Sequence, residues 1–328
     1  MNITDSTIIC DDNNIDELRS RYPEGLRFVV GDTHGQFATL KALMQKIKFN
    51  PEKDHVFFVG DYNAGGNVQC LLDYISLYYE ADYTKPGFHL IRGNHERELH
   101  PIYTLEKQPD IIVIREKHMT YYIVHAGMMY NAFNLINCDI AKHPEKKIFS
   151  YKLDDICVQY DAPLRQLIWS RNGLYSQRSH YHIWPNEENL RRNKACIIHG
   201  HSPYCFFKKP DYFTYGGEML FWQYQHIFFS EALQSFNIDS NIKGRSENGE
   251  GYRGLACACI EAIEEIAAQN GDRLTISGVK NAPNFVFSMP YIFCVYEEFG
   301  GDIKKVINGS PEMKLITLDE KGIPVIKE

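Results

Sequence analysis

The side chains of this 328-residue sequence that could do chemistry lie in short glycine-bounded stretches behind apolar runs. The first stretch, GDTHG, places Asp32 and His34 two residues apart behind the run LRFVV. Alone it could be a turn, because Asp and Gly are ordinary turn residues. Its meaning therefore depends on partners from other segments. Comparable residues follow four later apolar runs, namely Asp61, Asn94 with His95, His125, and His199 with His201.

These candidate ligands are carboxylate, amide and imidazole groups, without thiolate sulfur. Such a set favours manganese, iron, zinc or a mixture over copper or a thiolate zinc site. Asp61 is central in the order, and its two oxygens can bridge two ions. Two metals about 3.5–4 Å apart clamp the attacking and leaving oxygens of a phosphoester and lower the pKa of a bound water. The predicted cofactor is therefore two divalent metal ions, manganese first, with iron or zinc as alternatives.

Two arginines are candidates for binding a phosphate group. The planar fork of arginine suits phosphate, whose charge must be met by fixed donors. Arg92 lies directly before GNHE, and Arg171 lies in LIWSR. Arg171 also has a simpler interpretation, since Trp-Ser-Arg could be a core tryptophan beside a surface arginine.

Strand–loop–helix units must position these residues. Apolar runs at 26–30, 55–59 and 87–91 each end in a candidate stretch, and helix-compatible segments at 36–47 and 67–79 follow the first two. A repeat of about 30 residues per unit indicates an α/β sheet with crossover connections. In such sheets the loops beyond the carboxyl ends of the strands build the site, so residues that are distant in sequence can converge.

Later apolar runs predict further strands. They lie at 119–124, 195–198, 235–238 and 254–260, and within NFVFSMPYIFCVY beyond residue 283. Two other stretches, 172–194 and 203–229, are polar or dense in aromatic residues. We interpret these two stretches as insertions or a cap.

Bulk composition limits the class of protein. Charged residues make up 23% and hydrophobic residues 44% of the chain, as in ordinary globular proteins. The net charge of −7 provides no basic field for a nucleic-acid polymer, so none is predicted as a partner. Nine scattered cysteines without a CxxC pair indicate buried free thiols in a reducing compartment.

The N-terminus and the apolar runs bear on location. The N-terminus has neither a basic region nor an apolar region of the signal-peptide kind. The apolar runs fall well short of a membrane span, so no membrane partner is predicted. We expect a soluble cytoplasmic protein, although export without a leader would leave no trace in the sequence.

Six motifs in a fixed order together resemble the calcineurin-like metallophosphoesterase superfamily. They are GDTHG, GDYNAGG, RGNHE, VHAG, WSR and GHSP. Within that superfamily they look most like the phosphoprotein phosphatase branch, with its bacterial Ser/Thr/Tyr phosphatases and the related dinucleoside tetraphosphatases. The resemblance covers roughly residues 26–262 and implies an α/β fold, a central mixed β-sheet sandwich flanked by helices in four layers.

The resemblance also implies a role for each candidate residue. The implied metal ligands are Asp32, His34 and Asp61 for the first ion, and Asp61 as a bridge with Asn94, His125 and His201 for the second. Arg92 and Arg171 are implied to bind phosphate, and His95 to act as the general acid. His199 is then a buried, hydrogen-bonded histidine, because HGHSP matches the family element through His201.

The same resemblance suggests how the chain is divided. We predict an N-terminal extension at 1–25 and a metallophosphoesterase catalytic domain at 26–265 that carries the two insertions. We predict a C-terminal extension at 266–328 that either completes the sheet or forms a small appended subdomain.

The second motif departs from the family pattern Gly-Asp-x-x-Asp-Arg-Gly, since Ala64 and Gly65 stand where Asp and Arg are expected. In relatives that Asp hydrogen-bonds the histidine matching His95, and loss of a nearby carboxylate lowers the pKa of an imidazole. General acid catalysis is typically worth 10²–10⁴ in rate. Three explanations stay open: a substitute carboxylate, an impaired enzyme, or a substrate whose leaving group needs little protonation, such as phosphotyrosine or a phosphoanhydride.

The predicted function is a dinuclear metal-dependent phosphatase that hydrolyses phosphomonoesters by attack of an activated water. The predicted partner is a phosphoprotein or phosphopeptide, with a bias towards phosphotyrosine. Two alternatives stay open: a dinucleoside polyphosphate hydrolase, and a catalytically weak or dead binding module on the same fold, which Ala64 suggests. The sequence does not determine the oligomeric state.

Overall fold

The structure is a computed structural model. It describes residues 15–63, 68–96, 105, 107–152, 185–201, 214–215, 218–219, 221–224, 227–231, 233–239, 254–282, 285–290, 315–318 and 324–327. The sequence predictions on Ala64, Gly65, Arg171 and the stretch 172–184 lie outside these described residues.

Helices and strands alternate along much of the described chain. The helices are α1 (Ile15–Arg21), α2 (Phe37–Lys46), α3 (Val68–Ser76), α4 (Tyr130–Lys142), α5 (Glu187–Arg192), α6 (Ile260–Gln269) and α7 (Ile276–Asn281). The strands are β1 (Arg27–Val30), β2 (His55–Phe58), β3 (Gly87–Leu90), β4 (Ile111–Arg115), β5 (Thr120–Val124), β6 (Ile148–Tyr151), β7 (Ala195–His199), β8 (Thr214–Tyr215), β9 (Glu218–Met219), β10 (Phe221–Tyr224), β11 (Ile227–Ser230), β12 (Ser235–Asn237), β13 (Gly254–Cys259), β14 (Val286–Pro290), β15 (Leu315–Leu318) and β16 (Pro324–Lys327). None of the described helices combines the length and apolarity that a membrane crossing requires.

The first sheet contains the three strands predicted from the strand–loop–helix repeat. Its order is β14-β13-β1-β2-β3, in which β1, β2 and β3 are parallel. The loops after these three strands therefore lie at one edge of the sheet. β14, from the predicted C-terminal extension, pairs antiparallel with β13 in this sheet, whereas β15 and β16 form a separate two-stranded pair.

The second sheet has the order β10-β11-β12-β7-β5-β4-β6. The predicted strands β5, β7 and β12 are parallel to one another, so their carboxyl ends also lie at one edge. The aromatic stretch 203–229 contributes β10 and most of β11, which extend this sheet as an antiparallel pair. β4, which the sequence analysis did not single out, pairs antiparallel with β5 and β6.

The two sheets share one hydrophobic core, and the alternation of side chains along β4 shows how it is divided. Ile112 and Ile114 belong to the core shared with the first sheet, while Ile111 and Val113 pack with Phe133 of α4 in a second cluster. This is the period of two that a strand buried on both faces requires. Helix α2 packs on β13 and β14 of the first sheet. The predicted sandwich of mixed sheets flanked by helices is confirmed.

Candidate metal centre

The predicted ligands lie on loops at the carboxyl ends of β1, β2, β3, β5 and β7. All are buried, with no more than 7% of the residue surface exposed. They are Asp32, His34, Asp61, Asn94, His125 and His201. Six polar residues from five segments are therefore withdrawn from water at one edge of the sandwich.

A first group of predicted ligands surrounds His34. Its Nε2 lies 3.9 Å from Asp32 Oδ2 and 3.8 Å from Asp61 Oδ2. Its Nδ1 lies 2.9 Å from the carbonyl oxygen of Asn63. Because a carbonyl oxygen only accepts hydrogen bonds, Nδ1 carries the proton in the neutral ring and Nε2 presents its lone pair to the two carboxylates. A hydrogen bond of this kind on the distant nitrogen is the usual way of orienting a histidine ligand.

A second group surrounds His125. Its Nδ1 lies 2.9 Å from the carbonyl oxygen of Val59, so by the same reasoning Nε2 of the neutral ring carries a lone pair. That Nε2 lies 2.8 Å from Asn94 Oδ1, 3.1 Å from His201 Nδ1 and 3.4 Å from Asp61 Oδ1. Lone pairs facing one another at these distances repel unless a proton or a cation lies between them. The donors of this group therefore fit a divalent ion.

Asp61 lies between the two groups and offers one carboxylate oxygen to each. Oδ2 faces His34 and Oδ1 faces His125. The backbone of Asp61 has a φ of 56°, and His34 and His201 have φ of 43° and 67°. Left-handed backbone is uncommon for residues other than glycine and often marks a functional site. The two oxygens of Asp61, each facing a different histidine, give the geometry expected of the predicted bridging position.

Glu96, which the sequence analysis did not name as a site residue, holds the Asp61 loop in place. Its carboxylate accepts hydrogen bonds from the backbone N–H groups of Asp61 at 2.8 Å, Tyr62 at 2.8 Å and Gly93 at 2.9 Å. Burial, and then the charge of Asp61, raise the pKa of Glu96 to about 7. The only signal in the sequence was its place as the last letter of RGNHE.

Two glycines leave room for the buried carboxylates. A Cβ on Gly93 would lie 2.2 Å from Asp61 Oδ1, and one on Gly200 would lie 1.8 Å from Asp32 Oδ1. The next residue, His201, donates its backbone N–H to Asp32 at 3.2 Å from Oδ1 and 3.0 Å from Oδ2. This contact joins the loop after β7 in the second sheet to the loop after β1 in the first.

The charge balance of the site is strongly negative among the described residues. Burial raises the pKa of Asp32 well above its usual range, and the carboxylates of Asp239 and Asp61 raise it further. Asp239 follows β12 and is buried, and the sequence analysis missed it as well. Buried carboxylates in mutual contact are unstable as anions unless a cation balances them. A pair of divalent ions would supply that balance, so the residues present fit the metals predicted from the sequence.

The two groupings seen in the structure differ slightly from those that the resemblance implied. Ligand atoms of His34, Asp61 and His95 lie within 4.8 Å of one another, as do those of Asp61, His125 and His201. His95 was predicted as the general acid rather than as a ligand. Its Nε2 lies 3.7 Å from Asp61 Oδ2, its ring meets that of His34 edge to face, and its side chain is partly exposed. A partly exposed imidazole beside the predicted metal ligands can face a substrate.

Arg92 lies beside the site, but its side chain is paired with a carboxylate. The side chain is buried and forms a bidentate ion pair with Asp110, at 3.1 Å from Nε to Oδ1 and 2.8 Å from Nη2 to Oδ2. Its predicted contact with phosphate stays a prediction. His199 is fully buried, and burial lowers its pKa to about 4, as expected for a neutral core histidine.

Comparison with known proteins gives one family and a set of relatives. The calcineurin-like phosphoesterase family matches residues 28–223. A symmetrical bis(5'-nucleosyl)-tetraphosphatase of Actinobacillus succinogenes is 27% identical over 127 residues, which cover 31% of this chain and 44% of that protein. The enzyme of the same name from Pectobacterium carotovorum is 35% identical over 78 residues, or 23% of this chain and 25% of that protein. The chain thus aligns with less than half the length of these curated relatives.

Solved structures of similar fold include two phosphatases. One is a protein serine/threonine phosphatase from Saccharomyces cerevisiae, with 17% identity, a TM-score of 0.45, and coverage of 83% of this chain and 81% of that chain. The other is a cold-active protein-tyrosine phosphatase of a Shewanella species, with 16% identity, a TM-score of 0.40, and coverage of 72% of this chain and 77% of that chain.

Proposed function

The chain belongs to the calcineurin-like phosphoesterase family, and we propose that it is a phosphatase that hydrolyses phosphomonoesters with two divalent metal ions. The single observation that carries this proposal is the convergence of two histidine-containing groups on the two oxygens of Asp61. When bound, a metal pair lowers the pKa of a coordinated water and stabilises charge on the phosphate oxygens. Manganese is the first metal to test, followed by iron and zinc.

We assign each predicted ligand to one of the two ions, with Asp61 shared between them. Asp32, His34 and Asp61 would hold the first ion, and Asp61, Asn94, His125 and His201 would hold the second. The tautomers of His34 and His125, fixed by the carbonyl oxygens of Asn63 and Val59, support these assignments. The other residues bind the substrate: Arg92 and Arg171 hold phosphate oxygens, and His95 gives a proton to the leaving oxygen.

We propose phosphoproteins as the substrate class, with a preference for phosphotyrosine. The support is the alanine at position 64, where the family has the acid that pairs with the residue matching His95. Alanine cannot supply the carboxylate that, in relatives, favours the protonated form of the matching histidine. A phenolate, whose parent pKa is near 10, departs with less protonation than an alkoxide. Aryl phosphates therefore suit this site better than phosphoserine.

A second candidate function is the hydrolysis of dinucleoside polyphosphates. The observation that favours it is that the curated relatives named above are dinucleoside tetraphosphatases. A phosphoanhydride also has a good leaving group, so the alanine at position 64 is compatible with this candidate as well.

A substrate panel with added manganese, repeated with a chelator, tests these proposals. The panel contains a phosphotyrosine peptide, a phosphoserine peptide and diadenosine tetraphosphate, with analysis of the products. We expect the highest turnover with phosphotyrosine and loss of all turnover with the chelator. Asp61→Asn is the site variant, and Asp16→Asn, a change at a mostly exposed side chain, is the matched control.

Each other outcome points to a different function. A clear preference for phosphoserine defeats the phosphotyrosine proposal, and fast cleavage of diadenosine tetraphosphate alone establishes the second candidate. If no substrate is cleaved with manganese, iron or zinc, and the protein binds none of these metals, the fold serves as a binding module.

A further inference from the structure

The ion pair between Arg92 and Asp110 is built more rigidly than an ordinary surface pair. The two hydrogen bonds occupy Nε and Nη2, one edge of the guanidinium fork. The exposed fractions of the two side chains are 10% and 1%. A bidentate pair of this kind fixes the plane of the guanidinium as well as its position.

Asp110 is itself held by the backbone at both sides. Its N–H donates to the carbonyl oxygen of Tyr151 at 2.9 Å, and the preceding carbonyl oxygen, of Pro109, accepts from the N–H of Arg92 at 3.0 Å. The next residue, Ile111, pairs with Val124, which directly precedes the ligand His125. Asp110 therefore stands on the second sheet at the metal edge and reaches across to the loop of the first sheet.

A second arginine–aspartate pair, of which only the aspartate is fully buried, lies away from the metal edge. Arg19 of α1 donates to Asp54 at 3.2 Å from Nη1 to Oδ1 and 2.7 Å from Nη2 to Oδ2, and the Asp54 side chain is fully buried. Asp54 also accepts the backbone N–H of Leu26, directly before β1, at 2.9 Å. This pair fastens a helix to the amino ends of β1 and β2. It is also bidentate, although end-on through Nη1 and Nη2, and it serves as a comparison without the neighbouring site.

We propose that Asp110 is a positioning residue that orients the Arg92 guanidinium towards the substrate phosphate. This rests on the proposed function, in which Arg92 binds phosphate. Asp110 engages one edge of the fork, so that the donors of the other edge are directed away from it. An arginine ordered before the substrate arrives loses less conformational freedom on binding, which strengthens the contact.

The direction of the change in phosphate binding when Asp110 is removed distinguishes positioning of the arginine from a simple effect of charge. Asp110 carries negative charge beside Arg92, so by charge alone its removal would strengthen the binding of an anion. If Asp110 positions the fork, its removal weakens that binding. The variant Asp110→Asn keeps the shape, removes the charge and replaces one acceptor oxygen with a donor that opposes the arginine.

The test uses the manganese-loaded full chain with p-nitrophenyl phosphate as substrate and inorganic phosphate as competitive inhibitor. For Asp110→Asn we expect KM and the inhibition constant of phosphate to rise about tenfold, the usual value of a charged hydrogen bond, with a smaller change in kcat. Calorimetric titration of phosphate gives the same comparison without turnover. Asp110→Glu should restore part of the affinity, and in an Arg92→Ala background Asp110→Asn should add nothing.

Asp54→Asn is the matched control, and it should lower the Tm while leaving the inhibition constant of phosphate unchanged. If Asp110→Asn lowers only the Tm, or strengthens phosphate binding, the inference is overturned. If Asp110→Asn does not fold, Arg92→Lys is the second variant, because it keeps the positive charge but removes the guanidinium fork. Unchanged phosphate binding in Arg92→Lys overturns the inference. These results differ from failure of the proposed function, in which the wild-type protein itself neither hydrolyses phosphoesters nor binds phosphate, and the inference falls with it.

Discussion

The two ends of the β-sandwich both bury carboxylates, but they balance them differently. At the amino ends of β1 and β2 the counter-charge is arginine. Arg27 is paired with Glu261, at 2.6 Å from Nε to Oε1, and with Glu116. Burial alone lowers the pKa of Arg27, yet Glu261 and Glu116 raise it above its ordinary value. Asp54 is paired with Arg19.

At the carboxyl ends of the strands the charges that act on Asp32 are other carboxylates. Asp239, Asp61 and Glu96 all raise the pKa of Asp32, in addition to its burial. A backbone hydrogen bond from the N–H of His201 lowers it. One end pairs its buried carboxylates with arginines. At the other end Arg92 is paired with Asp110, and the proposed metal ions would balance the carboxylates around Asp32.

The largest expected effect comes from Asp61→Asn, which removes the shared carboxylate. Asparagine tolerates the left-handed backbone of this position, so the loop should keep its shape. We expect activity to fall by about 10³, the equivalent of the several kcal/mol that metal catalysis supplies. Manganese should raise the Tm of the wild type but not that of the variant. Without metal, the variant should be at least as stable as the wild type, because one repelling charge is gone. Thermal unfolding with and without manganese measures both.

For Asp54→Ala, at the amino ends of β1 and β2, we expect the opposite change in the stability of the metal-free protein. This substitution leaves the partly buried guanidinium of Arg19 without its carboxylate and also removes the acceptor for the N–H of Leu26. Breaking a buried pair typically destabilises by about 3–5 kcal/mol. We expect the free energy of unfolding, measured with urea, to fall by this amount while manganese affinity stays the same. A comparable loss in metal-free Asp61→Asn would contradict the comparison, since both ends would then behave alike.

Lowering the pH should reduce the free energy of unfolding through two histidines near the start of β2 that are neutral in the folded protein. Nδ1 of His55 lies 3.1 Å from Nε2 of His89, and burial lowers the pKa of each to about 4. Between pH 6.5 and 4 the unfolded chain therefore binds more protons than the folded protein, so stability falls as the pH falls. For the better-buried His89 the loss approaches about 3 kcal/mol across that window.

Urea unfolding at pH 7 and pH 5 for wild type and His89→Gln measures this contribution. The variant should lose less stability than wild type between the two pH values. Equal losses in both proteins would show that other groups dominate the acid response.

Glu96→Gln should weaken metal binding without removing a ligand. Gln can accept hydrogen bonds at only one of the two oxygen positions, so the N–H groups of Asp61 and Gly93, which share Oε2, or that of Tyr62 lose their acceptor. Loss of a residue that orients a ligand typically reduces metal affinity by 10–100-fold. Calorimetric titration with manganese gives the affinity. An unchanged affinity would mean that the left-handed backbone of Asp61 needs no such support.

These residues also show which parts of the molecule could be predicted from the sequence. Strands β1, β2 and β3 are short apolar runs, and polar residues of the site follow each directly, so local pattern and motif order were sufficient. Glu96 contacts Gly93, three residues before it, and also Asp61 and Tyr62, which are 35 and 34 residues away. Asp110 contacts Arg92, 18 residues away. Asp239 raises the pKa of Asp32 through the negative charge of its nearby carboxylate. Asp239 directly follows the apolar run 235–238 and Glu96 ends RGNHE, so the sequence carries a local signal for both. No local pattern marks Asp110, because its pairing with Arg92 exists only once the two sheets have packed.

The smallest effect should come from Asp16→Ala, which breaks an ion pair at the surface. Asp16 and Lys48 are only 2.6 Å apart, but 64% and 56% of their side chains are exposed. Water already solvates both charges, and the contact restricts two flexible side chains, so such pairs contribute at most about 0.5–1 kcal/mol. We expect a change within this range in urea unfolding, which added salt should reduce further. A loss as large as that of Asp54→Ala would mean that pairing, rather than burial, decides the stability of charges in this protein, and the contrast between the two ends would lose its physical basis.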